Sequence, residues 1–344
     1  MNRRRFLLTS AGMFATVTGC KSSPSRVVLY CAQDREFAES ILADFTQQTK
    51  LAVAPKYDTE ADKSVSLYEE LIREKDRPRC DVHWNNEILA TIRLRRQGLL
   101  EAYAPPSAAT FPAWSKASDQ TWQAFASRAR VLLVNTKLVP AAERPKSLLD
   151  LIQPRWKGKV AMAKPLFGTT ATQAACLFEA LGPERAEQFY KDLAANAVHI
   201  VPGNKQSAEA VSHGEVAIGM TDTDDAMEEK ESGQLVEIIF PDREKNPEHP
   251  RLGTLFIPNT VALIRGAPNL DGGRKLIDFL LSVEVEAKLA ENASHQIPLN
   301  PQVKANLPES ILTPKDVHVM DVDFEKAADR WEHSQTFLRN VFAR

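Results

Sequence analysis

The sequence predicts an α/β protein with two lobes, each a mostly parallel sheet flanked by helices. Short apolar runs alternate with segments in which apolar residues recur at helical spacing. The connections between them are short, which indicates parallel strands covered on both faces. The length of 344 residues fits two domains of roughly 150 residues each.

Three strand–helix units open the first lobe. Strands are predicted at Arg26–Cys31, Leu51–Tyr57 and Asp81–Trp84. Each is followed by apolar residues at helical spacing, and the helices are expected to begin near Asp34, Ser64 and Asn86. The first and third strands are expected to be parallel neighbours, which places Cys31 and Cys80 at opposite ends, too far apart for a disulfide.

A proline-rich break over residues 105–114 precedes the second block. A long strand is predicted over 124–135, then strands over 159–163, 199–201, 216–220 and 235–240, with a helix over 170–181. One strand is expected before Pro258-Asn259 and another after it. Two helices over 273–292 and an amphipathic C-terminal helix are expected to follow. The first lobe is therefore predicted as 26–123 with 258–300, and the second as 124–257 with 301–344.

Residues 1–19 are predicted to be a signal peptide. Arg3-Arg4-Arg5 precede an apolar run that is too short to cross a membrane. The run ends at Val17-Thr18-Gly19-Cys20, which resembles a lipobox whose cysteine, Cys20, is lipidated. Asn2–Leu7 also resembles a twin-arginine export signal. Residues 20–25 would then form a tether, and an ordinary signal peptide with an incidental cysteine is the alternative.

The composition excludes several functional classes. Lys+Arg number 43 and Asp+Glu 45, so no basic field for nucleic acid is expected. Cys31, Cys80 and Cys176 are predicted to be free and buried, and His83 to be a core residue with its hydrogen bonds satisfied. No nucleophile–base or metallohydrolase motif is present, which argues against an enzyme, and no resident cofactor is expected. The chain is expected to act as a monomer.

Polar residues follow each strand of the first lobe. Gln33-Asp34, Thr59-Glu60 and Asn85-Asn86-Glu87 all come directly after apolar strands. Ligands of such sheets bind at the carboxyl ends of the strands. These residues are candidate ligand-binding groups, although polar loops also occur there by chance.

The second lobe supplies a candidate anion site. Gly168, Thr169 and Thr170 lie where a predicted strand passes into a helix. Free backbone N–H groups and hydroxyls at a helix start bind anions. Plain capping of the helix by Thr169 or Thr170 is the alternative, and the two roles are compatible.

The segment Thr221-Asp222-Thr223-Asp224-Asp225 follows another strand and carries three carboxylates. Neighbouring carboxylates repel one another unless a cation neutralises them. One can cap the next helix and one can face its positive end, which leaves one over. The excess favours a cationic or polyhydroxylated ligand, and a solvated acidic turn is the alternative.

The chain resembles bacterial extracellular solute-binding proteins of the ferric-ion-binding family, which serve ABC importers. The resemblance rests on six stretches in a specific order: Val28–Asp34, Tyr57–Ala61, Asp81–Glu87, Trp156–Lys159, Gly219–Asp225 and Gln296–Pro301. It implies a type II periplasmic-binding-protein fold that closes on its ligand. It also implies a periplasmic or cell-surface receptor that delivers a solute to a permease and its ATPase, here with a lipid anchor in the membrane.

One departure from the family affects the ligand. Tyrosine-type members carry adjacent tyrosines near the region of Thr221–Asp224, whereas none of the five tyrosines here is adjacent to another. Iron(III), with a bound anion on Thr169-Thr170, remains the first-ranked ligand by resemblance, and Glu60, Glu87, Asp222 and Asp224 would supply its oxygen ligands. The alternatives are a small organic anion or sugar phosphate, an exported enzyme on the same scaffold, and a sensor partner of a membrane kinase.

Overall fold

The computed structural model describes residues 26–58 and 65–342. The predicted signal peptide, Cys20 and the tether lie outside the described residues, as do the candidate ligands Thr59 and Glu60. Within the described part, no helix combines the length and the apolar character that a membrane crossing requires.

Three parallel strands form the first part of the sheet, as predicted. They are β1 (Arg26–Cys31), β2 (Ala52–Tyr57) and β3 (Val82–Asn85). β1 lies between the other two and is parallel to both. The helices that follow these strands are α1 (Arg35–Thr49), α2 (Ser66–Arg73) and α3 (Ile88–Arg96). The carboxyl ends of the three strands therefore share one edge.

One long strand connects the two parts of the sheet. After β4 (Leu100–Glu101), β5 spans Gln123–Asn135 and is buried throughout. Its first half pairs antiparallel with the strand Phe256–Ile264, and its second half pairs antiparallel with the strands Ile218–Asp222 and Val236–Ile239. The strand order places β5 in the middle of the continuous sheet.

The second part of the sheet repeats the strand–helix pattern. It contains β6 (Val160–Ala163), β7 (His199–Val201), β8 (Ile218–Asp222) and β9 (Val236–Ile239). β6 is parallel to both β7 and β8. The helices here are α4 (Gly168–Ala180), α5 (Pro183–Ala195), α6 (Asn204–Ser212) and α7 (Thr223–Glu231). Gly182 adopts φ 81° between α4 and α5, and Pro183 begins α5, an arrangement typical of a helix end followed by a helix start.

The prediction of two strands around Pro258-Asn259 is wrong. The segment forms one strand, β10 (Phe256–Ile264), which pairs with β3, β4 and β5. Its register with β5 shifts between Pro258 and Asn259, where β5 has an additional residue, Ala126, at φ 38°. A bulge lets the strand continue past a proline that has no N–H to donate.

Helices complete the chain as predicted. α8 (Leu270–Leu280) and α9 (Val283–Glu291) follow β10, and the irregular segment 292–323 leads to α10 (Phe324–Phe342). α10 packs against α3, α4 and α5, so it contacts helices of both parts of the molecule. Short 3-10 turns occur at Pro106–Ala109, Ala113–Ser115, Ala141–Glu143, Leu148–Ile152 and Pro154–Trp156.

The core confirms the prediction for the cysteines and corrects that for His83. Cys31, Cys80 and Cys176 are buried and free. His83 is also buried, but neither ring nitrogen has a hydrogen-bond partner among the described residues. Burial lowers the pKa of His83 to about 4. The ring is therefore neutral at pH 7 and packs as a core group without satisfied hydrogen bonds.

Candidate functional site

A small cavity lies where β6 and β8 end and the helices that follow them begin. Its accessible volume is about 30 Å³, enough for about two water molecules, because each needs about 10–15 Å³ of such volume. The lining includes the starts of α4 and α6 together with acidic, basic and amide side chains: Asn86, Arg128, Lys164, Gly168, Thr169, Thr170, Gly203, Asn204, Asp222, Asp224 and Asp225. Most of the residues singled out in the second lobe thus surround one space.

Arg130 of β5 neutralises Asp222. The register of β5 against β8 places the two residues opposite each other, and Arg130 Nη1 lies 2.8 Å from Asp222 Oδ1. Thr169 Oγ1 and Asn204 Nδ2 donate to the other carboxylate oxygen at 2.5 and 3.0 Å. Burial would raise the pKa of Asp222, but the nearby arginines and the Thr169 hydroxyl lower it below its ordinary value.

Arg128 neutralises Asp224 in the same way. Its Nη1 lies 3.0 Å from Asp224 Oδ2, and its Nη2 donates to the carbonyl oxygen of Asn86 at 2.7 Å. Burial raises the pKa of Asp224, and the charges of Asp222 and Asp34 add to this rise while Arg128 opposes it. Arg128 therefore connects the acidic segment to a loop at the carboxyl end of β3.

These two ion pairs supply cations from within the protein, so the excess of carboxylates in this segment does not require a cationic ligand. Asp222 ends β8, and both Asp222 and Asp224 are buried against arginine. The sequence does contain a signal for this pairing, because Arg128 and Arg130 stand two residues apart within the predicted strand over 124–135. Residues two apart point to the same face of a strand, and a charged pair inside a buried strand requires partners.

Thr169 and Thr170 lie in the first turn of α4 but do not cap it. The residue at the N-cap position is Phe167, and no side chain caps the helix. Thr169 bonds to Asp222, and Thr170 Oγ1 donates to Asn204 Oδ1 at 2.9 Å. The plain-capping alternative is therefore wrong. The first backbone N–H groups of a helix have no intrahelical acceptor, and the residues that carry them in α4, Gly168, Thr169 and Thr170, line the cavity.

The candidates from β3 play different roles. Asn86 lines the cavity. Glu87 is buried and caps α3, since its carboxylate accepts from the N–H groups of Leu89 and Ala90 at 2.6 and 2.8 Å. It also accepts from Thr172 Oγ1 of α4 at 2.7 Å. Asn85 Nδ2 donates to the carbonyl oxygen of Glu87 at 2.6 Å. The suggested metal ligand Glu87 is thus occupied by a capping role.

At the end of β1, the two candidates differ. The side chain of Gln33 is buried, and neither its amide nitrogen nor its oxygen has a hydrogen-bond partner among the described residues. Asp34 occupies the N-cap position of α1 without a side-chain capping bond. Its charge nevertheless acts on Arg128 and Asp224, so the end of β1 lies near the ion pairs.

The remaining residues of the acidic segment divide between packing and the cavity. Thr221 Oγ1 donates to the carbonyl oxygen of Asn204 at 3.0 Å, and Thr223 Oγ1 accepts from the N–H of Ala129 at 3.2 Å. Asp225 lines the cavity. Asp222, Asp224 and Asp225 each bring one ligand atom within 4.8 Å of the others.

Comparison with known proteins decides the family. The profile of the bacterial extracellular solute-binding proteins matches residues 90–326. The chain belongs to this family. Iron uptake protein A1 of Synechocystis sp. is 25% identical over 298 residues, which cover 83% of this chain and 80% of that protein.

Solved structures agree on the fold. Iron-bound HitA from Pseudomonas aeruginosa superposes with a TM-score of 0.82 at 22% identity, covering 93% of this chain and 100% of that one. AfuA from Actinobacillus pleuropneumoniae, a periplasmic binding protein with fructose-6-phosphate bound, gives 0.80 at 23% identity, covering 93% and 99%. The predicted type II periplasmic-binding-protein fold is confirmed. Members of the family are solute-binding proteins rather than enzymes, so the exported-enzyme alternative is set aside.

Proposed function

We propose that this solute-binding protein is the receptor of an ABC-type importer, held by a lipid on Cys20 at the outer face of a membrane. It captures a small solute as a monomer and hands it to a permease driven by an ATPase. The family match supports the binding role, and the lipobox-like end of the leader supports the anchor.

We infer that the solute carries an oxyanion head, such as a phosphate or phosphonate. The observation that carries this inference is the charge state of the cavity wall. Both buried aspartates are paired with arginine, and the wall further carries the carboxylate of Asp225 and the ammonium of Lys164, which forms no ion pair among the described residues. A free ammonium beside the first turns of α4 and α6 attracts an anion, because helix starts carry partial positive charge.

The body of the solute would occupy an adjoining space. A cavity of about 310 Å³ shares Phe167 and Gly168 with the small one, and Tyr68, Arg93 and Trp331 line it further out. Ligand cavities start at about this size. The small cavity is too small for a sugar ring. A phosphate ester would therefore place its phosphate group beside Lys164 and its organic part in the larger cavity on the other side of Gly168.

Iron(III) is the second candidate, favoured by the three clustered carboxylates of Asp222, Asp224 and Asp225 and by the name of the Synechocystis relative. Hard trivalent ions prefer such oxygen donors. An ion bound there, however, would lie close to the guanidinium groups of Arg128 and Arg130, whose positive charges repel it. The adjacent tyrosines of the family's iron sites are lacking in this sequence.

Calorimetry on two single variants separates the candidates. Lys164→Met and Thr170→Val remove an ammonium and a hydroxyl while leaving both ion pairs in place, and Lys157→Met on the exposed surface is the matched control. For phosphate and phosphonate esters, we expect Lys164→Met to weaken affinity tenfold or more, since a hydrogen bond to a charged group contributes about 1.5–3 kcal/mol. Tight one-to-one binding of ferric citrate that neither substitution alters would overturn the oxyanion assignment.

A further inference from the structure

A second cavity lies away from the site described above. Its volume is about 790 Å³, well within the range of small-molecule sites. The wall is mainly apolar and is formed by α3, by the start of β10 and by the irregular segment before α10, with Ile92, Trp122, Phe256, Met320 and Val322 among its residues. None of the residues of the small cavity at Lys164 lines it.

The acidic side chains on this wall form ion pairs, whereas one of its basic side chains does not. The acids are neutralised: Glu325 pairs with Arg95 and Arg96, and Asp323 with Lys326. Asp323 also accepts the N–H groups at the start of α10. Lys116 differs, because its ammonium donates only to the neutral carbonyl oxygen of Ala108, at 2.8 Å, and forms no ion pair among the described residues.

A second donor lies on the same wall. Trp122 is 7% exposed, and its indole N–H has no acceptor within the described part of the chain. A buried donor without an acceptor is costly, and a ligand oxygen would remove this cost. The cavity therefore combines an extensive apolar surface with one uncompensated positive charge and one unused N–H donor.

We propose that this cavity binds a small amphiphilic monoanion, with its hydrocarbon body against the apolar wall and its carboxylate at Lys116. A neutral amphiphile would bury the same apolar surface but would gain no ion pair. An amphiphilic cation would place its charge beside the ammonium of Lys116, which is repulsive. The site is independent of the proposed importer solute and does not rest on its chemistry.

Titration calorimetry with decanoate, decanol and decylammonium tests the proposal on the purified protein. We expect decanoate to bind with one-to-one stoichiometry, decanol at least fivefold more weakly, and decylammonium more weakly still. Lys116→Met should reduce decanoate affinity to that of decanol and leave decanol unchanged. The exposed Lys137→Met is the matched control and should change neither affinity.

A filling variant identifies the cavity itself. Val322 lies half-buried in the irregular segment before α10, so Val322→Trp adds bulk to the cavity while leaving the sheet intact. It should lower affinity for both decanoate and decanol at least tenfold, with an unchanged thermal unfolding midpoint. The absence of saturable decanoate binding to the wild-type protein would overturn the proposal, as would decanoate binding that Lys116→Met leaves unaltered.

Discussion

At the scale of single residues, two buried arginines determine what the site can bind. Arg128 and Arg130 are 2% and 1% exposed, and each contacts one aspartate of the acidic segment. Removing charges from water is expensive, and close pairing with further hydrogen bonds offsets that cost. Because the arginine and the aspartate of each pair neutralise each other, the ligand need not be a cation.

Removing one member of such a pair should therefore destabilise the fold. Arg130→Met leaves Asp222 buried without its cation, and we expect a loss of about 3–5 kcal/mol in the free energy of unfolding. Urea unfolding measures it. The control Lys205→Met breaks the exposed pair with Glu228 and should cost less than about 1 kcal/mol. Equal losses in the two variants would contradict the importance assigned to the buried pair.

His83 should make stability depend on pH. Burial lowers its folded-state pKa to about 4 from an ordinary 6.5. Below pH 6.5 the His83 ring becomes protonated in the unfolded chain but stays neutral in the folded protein. The free energy of unfolding therefore has its full value above pH 6.5 and falls as the pH drops toward 4. The full loss is about 3 kcal/mol, since one pKa unit corresponds to about 1.4 kcal/mol.

The variant His83→Leu should remove this contribution, since the ring makes no hydrogen bond among the described residues. Urea unfolding from pH 7 to pH 4.5 should show wild type losing more stability than His83→Leu. The exposed His199→Leu serves as control and should follow the wild-type slope. Parallel curves for wild type and His83→Leu would show that His83 titrates normally in the folded protein.

At the scale of elements, apolar periodicity predicted most of the fold. Strands such as Arg26–Cys31 and helices such as α5 carry local signals, namely an apolar run or a Gly-Pro break. Apolar periodicity could not predict that Arg130 pairs with Asp222, because the two residues are 92 positions apart in the sequence and their contact depends on the register between β5 and β8. The bulge at Ala126 was missed for a similar reason, since a proline on the partner strand gives no local signal in β5.

The packing of α6 on β8 offers a test at this scale. A Cβ atom at Gly219 would lie 2.8 Å from the backbone oxygen of Ser207, so Gly219→Ala must push α6 away from the sheet. Since Asn204 begins α6 and contacts both Asp222 and Thr170, we expect reduced stability together with weaker binding of phosphate esters. Calorimetry and urea unfolding measure the two effects, and wild-type values in both would contradict the close packing.

At the scale of the whole molecule, β5 and β10 cross between the two parts of the sheet. The site draws Asn86 from the first part and Asp222 from the second, so binding should bring the parts together. We expect small-angle scattering to give a smaller radius of gyration with a saturating phosphate ester than without it. A radius that stays constant at saturation would indicate a rigid scaffold.

The oxyanion assignment is tested most directly by native mass spectrometry under competition. The purified protein is mixed with equal concentrations of ferric citrate and a panel of phosphate and phosphonate esters, and the mass of the bound species is read. We predict one ester per chain and no iron, with the ester adduct lost in Lys164→Met. An iron adduct in place of the ester, or no adduct from any of these compounds, would contradict the assignment.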